Sequence, residues 1–163
     1  MAGIDMTRVM KSDHDISANY GVVSMTKAGR RYNMLMVKKI EAKVNVESRE
    51  VKKIGTNKKG RKNGLIEYSG TMTVYKCTDE FDKMVAEYDR TGIMPRFDLQ
   101  TYNEDPTVAA DLGRSIRQFN DCIIDGDVLL ALIDSEGGTI EQQINFYAES
   151  VETPEYLNNP DYM

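Results

Sequence analysis

The chain has 163 residues, 40% hydrophobic and 29% charged, enough for one domain with a buried core and too few for two full domains. That balance excludes a disordered, collagen-like or coiled-coil chain, and two cysteines far apart with no CxxC pair exclude a disulfide scaffold, so Cys77 and Cys122 are expected to be reduced. The net charge of −5 is unevenly distributed: residues 1–63 carry +9, residues 64–97 carry −2 and residues 98–163 carry −12.

The longest apolar run, Val128 to Ile133, has six residues against the roughly 20 needed to cross a bilayer. Met1 to Met10 lacks the apolar core of a secretory signal. No membrane partner and a cytoplasmic folding compartment are the expectation. Residues 1–17 read as an arm without fixed structure of its own, and 158–163 as a short C-terminal tail.

In chain order, Tyr20 to Met25 reads as a strand and Lys27 to Arg30 as a turn around Gly29. Residues 34–46 follow as a strand of period two, with Ile40, Ala42, Val44 and Val46 alternating with Glu41, Lys43 and Asn45. Residues 47–63 hold seven cations, Arg49, Lys52, Lys53, Lys58, Lys59, Arg61 and Lys62, with Gly55 and Gly60, a composition suited to a long, mobile hairpin connection. Residues 65–76 return to alternation: Ile66, Tyr68, Met72 and Val74 take the core side, and Glu67, Ser69, Thr71, Thr73 and Tyr75 the wet side.

A helix is expected over 78–91, with Thr78 as cap, acids at its start, Gly92 as its stop and an apolar stripe of Phe81, Met84, Val85 and Tyr88. That stripe is expected to cover the core parity of the neighbouring strands, Ile66, Tyr68, Met72, Val74, Ile144 and Phe146. Arg96 to Tyr102 is extended, 103–113 is loop, and strands are expected at 114–124, 127–134 and 139–149, with a hairpin turn at Asp125-Gly126-Asp127. The proline-containing tail from Val151 reads as irregular. The order implies a mainly β fold: an antiparallel sandwich or barrel-like domain with one flanking α-helix and a long basic hairpin loop.

Catalytic chemistry finds little to build on. His14 is the only histidine and sits between Asp13 and Asp15, leaving a metal site or Ser/His dyad without partners. Gly55 to Lys62 approaches a phosphate-binding loop but has Arg61 and Lys62 where the motif needs Lys and Ser or Thr, and leads into a strand. Asp125-Gly126-Asp127 lacks the ligand ladder of a calcium loop. No enzyme activity, metal or cofactor is expected. An alternative use of 47–63 is nonspecific nucleic-acid binding by its cations, but no aromatic residue lies between 33 and 67 to stack on bases.

The succession of strand, basic Gly-containing loop, Gly70 to Thr78, helix 79–91, Pro95 to Gln100 and a closing Tyr147 to Leu157 resembles the tail tube (core tail) proteins of contractile-tailed phages and PBSX-type prophages. That group is related to R-type bacteriocin and type VI secretion tube proteins. The resemblance covers about residues 18–157. It implies a structural subunit of a tail tube, forming hexameric rings in which each copy adds four strands to an inner barrel. The rings stack into a conduit for DNA or other cargo, with sheath, baseplate and tape-measure proteins as further partners. It places the protein in the virion tail, assembled in the bacterial cytoplasm. It also gives 47–63 a role in contacting the neighbouring ring.

Alternation then nominates a lumen-facing set, Glu67, Ser69, Thr71, Thr73, Glu141, Gln143 and Asn145, too hydrophilic for a core. An acidic or hydroxyl-lined wall of this kind would let DNA slide without adhering.

Overall fold

A computed structural model describes residues 9–34 and 36–162. Eight strands occur among the described residues: β1 (Gly21–Lys27), β2 (Arg30–Asn33), β3 (Val37–Val51), β4 (Gly60–Tyr75), β5 (Phe97–Asn103), β6 (Ser115–Asp125), β7 (Glu141–Ala148) and β8 (Ser150–Glu155). They are joined by helix α1 (Glu80–Thr91), a single helical turn α2 (Ala109–Leu112) and a 3-10 turn at Ser12–His14. All pairings are antiparallel, in the order β2-β1-β5-β6-β7-β4-β3, with β8 also on β6. The sheet is not closed, because β2 and β3 lie at its two ends.

The fold turns on β6. Its first half pairs β5 on one side and β8 on the other, while Ile123–Asp125 pair β7. Between these halves Asp121 takes φ 52°, and the register against β5 slips by one residue between Phe97 and Leu99. This is a β-bulge, which bends a strand and increases its twist. The Asp98 carboxylate accepts the Asp121 N–H at 2.9 Å and fixes the bulge. The sheet thereby becomes two leaves that share β6.

The core lies between the leaves and under α1. Met25, Leu99 and Phe119 from one leaf meet Met72, Val74, Ile144 and Phe146 from the other, together with Phe81 and Met84 of the helix. Phe119 and Phe146 meet edge to face with centroids 6.3 Å apart, as do Phe81 and Phe97 at 6.4 Å. Helix α1 starts where the Thr78 hydroxyl accepts the Glu80 N–H, and stops at Gly92, whose φ of 76° admits the left-handed closing turn onto the Tyr88 carbonyl.

Several expectations need correction. Residues 127–134 are not a strand, and Asp125-Gly126-Asp127 is not a tight hairpin, because β7 begins only at Glu141. The apolar run 128–133 reads as a strand by composition, but pairing partners are a property of the fold rather than of the segment. The tail beyond Val151 is not irregular: β8 pairs Ser150, Val151, Glu152 and Glu155 with β6. Pro154 is tolerated because β8 is an edge strand whose outer side makes no ladder bonds. Residues 103–113 carry the α2 turn, and 47–63 is mostly ladder rather than loop, with Ser48↔Asn63, Arg49↔Lys62, Glu50↔Arg61 and Val51↔Gly60 in register. Cys77 and Cys122 are both free.

Candidate functional site

Three surfaces carry the chemistry of this chain. The first is the polar face of the leaf β6-β7-β4-β3. Antiparallel register sets side chains opposite one another in rows: Lys39, Thr73 and Gln143; Glu41, Thr71 and Asn145; Lys43, Ser69 and Tyr147. With Asp125 these residues line an open concavity of about 600 Å³. The Thr71 hydroxyl donates to the Asn145 side-chain oxygen at 3.1 Å. Lys43 Nζ lies 2.7 Å from Glu41, whose carboxyl it holds below its ordinary pKa first by hydrogen bonding and then by charge, and Lys39 approaches Glu41 at 3.9 Å.

Of the residues nominated for a lumen, Ser69, Thr71, Thr73, Gln143 and Asn145 share this face. Glu67 lies farther out, opposite Asn45, and Glu141 lies at the other end beside Tyr75, paired with Lys38 at 3.1 Å. Sequence reasoning left out Lys39, Lys43, Tyr147 and Asp125. The alternation of 39–45 already held the two lysines, which make the face mixed in charge rather than acidic.

The second surface is the outer part of the β3-β4 ribbon. Beyond the rows shared with β7 it is paired only with itself, and its tip spans 52–59. All seven cations named from the sequence lie on it, and of these Lys59 and Arg61 pair with Glu50 at 3.5 and 3.7 Å. Among the described residues Arg49, Lys52, Lys53, Lys58 and Lys62 have no ion-pair partner within 4 Å. The ribbon is also apolar: Val44, Val46 and Ile66 are about half exposed and Ile54 is fully exposed.

The third surface is the free edges. Among the described residues the outer edge of β3 pairs no strand, and β6 covers only Asn145–Tyr147 of β7, leaving the outer edge of Glu141–Ile144 open.

The helix stripe divides: Phe81 and Met84 are fully buried, Val85 is half-buried, and Tyr88 is 48% exposed. His14 is buried, with Nδ1 3.0 Å from the Tyr162 hydroxyl and Nε2 3.2 Å from Asp111, and so ties the turn at Ser12–His14 to α2 and to the segment after β8. No cluster of three metal-ligating side chains occurs among the described residues. Burial pushes the Cys122 thiol up to about 12, which removes it as a nucleophile.

Comparison with known proteins agrees with this surface-dominated picture. Two Bacillus subtilis (strain 168) proteins, the uncharacterized protein YqbM and the phage-like element PBSX protein XkdM, are each 28% identical over 127 residues, covering 77% of this chain and 84% of the relative. The fold is similar to that of a chain in the PVC contractile injection system sheath-tube complex, with a TM-score of 0.63, 10% identity and coverage of 87% of this chain and 93% of that one. It is likewise similar to the SPP1 tail tube, with a TM-score of 0.56, 14% identity and coverage of 90% and 81%. Residues 8–155 match the family described as phage tail tube protein. Over nine-tenths of its length, therefore, this chain is a member of the phage tail tube protein family.

Proposed function

We propose that this chain is the repeating subunit of the inner tube of a contractile tail or tail-like particle, closing into hexameric rings that stack head to tail into a conduit for DNA or other cargo. The carrying observation is the pair of unlike open edges on one leaf, β3 at one side and Glu141–Ile144 of β7 at the other. A strand edge leaves N–H and C=O groups unpaired, and a neighbour that supplies the complementary edge satisfies them. Because the two edges differ, the contact is heterologous, and a heterologous contact repeated by rotation closes a ring.

In such a ring the concave polar face lines the lumen. Its lysines are partly neutralised in place by Glu41, so a polyanion passing through meets hydroxyls, amides and paired charges rather than a strip of free cations. The basic ribbon stands away from the body and serves the contact with the next ring. Sheath and baseplate proteins are the expected outer partners, in keeping with the likeness to a chain of a sheath-tube complex, and a tape-measure protein is expected within the tube.

Negative-stain microscopy of the purified protein tests this reading. The intact chain is expected to give hollow tubes at high concentration. Replacing residues 50–62 by a two-residue turn is expected to leave rings or monomers. Long tubes from the shortened chain would remove the ribbon from the axial contact. A persistent monomer from the intact chain at every ionic strength would overturn the proposal as a whole. Duplex DNA affinity that depended on the ribbon and fell steeply with salt would favour a nucleic-acid-binding role instead.

A further inference from the structure

The segment between β6 and β7, residues 126–140, belongs to no helix or strand and is fixed at both its ends. Val128 packs on the core, the Lys76 N–H donates to the Ile140 carbonyl at 2.9 Å, and Asp134 and Gly137 close a turn at 3.1 Å. Between these anchors the chain leaves Leu130 and Ile133 exposed to solvent, the latter at 96%. A run of aliphatic side chains held in the open by both its ends is a surface waiting for cover.

Its charge is one-sided. Asp125, Asp127, Asp134 and Glu136 flank the aliphatic residues, and no Lys or Arg occurs anywhere from Gln118 to the C-terminus. The ribbon is the opposite case, with a surplus of five positive charges over residues 47–63 around the fully exposed Ile54.

The positions of the two are fixed by register. Along β4, Tyr75 pairs Glu141, where the segment ends, and Gly60 pairs Val51, where the ribbon tip begins. These rows are 15 residues apart on one continuous strand, about 50 Å at the rise of an extended chain. A cationic, apolar-tipped projection and an anionic, apolar-centred segment thus lie at opposite ends of the same strand and cannot meet within one copy.

We propose that the ribbon tip of one copy docks on segment 126–140 of the next copy along the tube, with Ile54 against Leu130 and Ile133 and the tip lysines against Asp127, Asp134 and Glu136. The occupant is a second copy of this chain because the two surfaces match in both charge and apolarity and sit at opposite ends, the geometry of an axial, non-closing contact. The inference rests on the tube reading above and adds to it the receiving surface.

A cysteine pair tests it directly. Two populations in a Cys77→Ser background, one Ile54→Cys and one Ile133→Cys with a size tag, are mixed, assembled into tubes and oxidised with diamide. The expected product is a mixed disulfide dimer that neither population gives alone. A second arm reverses charge. Asp127→Lys, Asp134→Lys and Glu136→Lys together are expected to stop growth at rings, and Lys52→Glu, Lys53→Glu and Lys58→Glu in the same chain to restore tubes. These sites are exposed, so a folded chain by circular dichroism is expected throughout. Tubes of wild-type length from the three-lysine chain, with no mixed dimer, would overturn the docking and leave the tube reading standing. Failure of the unmodified chain to form tubes at all would overturn both.

Discussion

Strands β3 and β4 pass through two environments, and the contrast between them explains much about this protein. Near α1 their inward side chains are sealed: Met72 and Val74 have no exposed surface and Ile40 and Ala42 pack against the core. Farther out, the same alternation continues through Val44, Val46 and Ile66 without being sealed, and these are 53%, 48% and 56% exposed. Period two fixes which way a side chain points and leaves open whether anything covers it. In a subunit that assembles, a correctly patterned but uncovered stretch marks where another chain belongs.

The sharpest way to break the comparison is a charge placed in each half. Met84 is fully buried under the inner half, and Met84→Asp removes packing worth about 2–5 kcal/mol and adds an unpaired buried carboxylate costing several more. Against a typical total stability of about 5–15 kcal/mol this is expected to prevent folding. Val46→Asp on the ribbon is expected to give a native circular dichroism spectrum and a cooperative melt. A folded Met84→Asp chain would remove the helix from the core.

A smaller effect separates two glycines of β4. A Cβ on Gly70 would sit 2.4 Å from Phe146 Cζ and 2.9 Å from both adjoining ring carbons, inside a ring that is itself buried. Gly70→Ala is therefore expected to cost about 1–3 kcal/mol in urea denaturation. On the ribbon, a Cβ at Gly64 meets nothing closer than the Glu47 carboxylate at 3.4 Å, the mobile end of a side chain. Gly64→Ala is expected to stay within about 0.5 kcal/mol of the parent.

The inner half was the legible half. The alternation of 68–75, the helix with Phe81 and Met84 in its stripe, and the turn at Gly29 can all be read from spacing, because local pattern and buried environment agree there, whereas Ile66, expected under the helix stripe with them, is 56% exposed. Tyr88 shows the limit, as it keeps the spacing but lies beyond the reach of the core. The run 128–133 is the opposite failure: its composition is that of a strand, yet β7 takes its ladder from β4 and only three residues of β6. The Asp121 bulge, which makes two leaves of one sheet, follows from the Asp98 contact across strands and leaves no local signal. On the polar face, Lys39 and Lys43 were visible in the alternation, but only the register of β3 on β4 brings them beside Thr73 and Ser69.

The body also anchors the stretch before β1 through a buried carboxylate, and acid should expose this. Asp105 is buried, and its carboxylate accepts the Ser17 N–H at 3.1 Å and the Thr107 N–H at 3.0 Å; these bonds hold its pKa below the ordinary value. A carboxyl depressed in the folded state adds stability above its unfolded pKa, about 3.9, and loses it as pH falls through the lower folded value. The stability difference between the parent and Asp105→Asn is thus expected to be constant from neutral pH down to about 4 and to shrink below it. A difference that instead grew on acidification would mean that Asp105 is not held ionised by those two N–H groups.

The smallest expected effect concerns the ribbon's own ion pairs. Glu50 faces Lys59 and Arg61 across the ladder at 3.5 and 3.7 Å, but all three side chains are at least half exposed. Water screens such pairs, and the ordering of long side chains offsets much of what attraction remains. Glu50→Gln is expected to change monomer stability by no more than about 0.5 kcal/mol in urea denaturation. It does raise the net charge of the ribbon by one, so, with the acidic segment 126–140 as its facing surface, the salt concentration at which tubes come apart is expected to rise. A large loss of monomer stability with no change in that salt midpoint would make Glu50 a structural clasp of the ribbon, and would place the ribbon with the body rather than with the assembly surfaces.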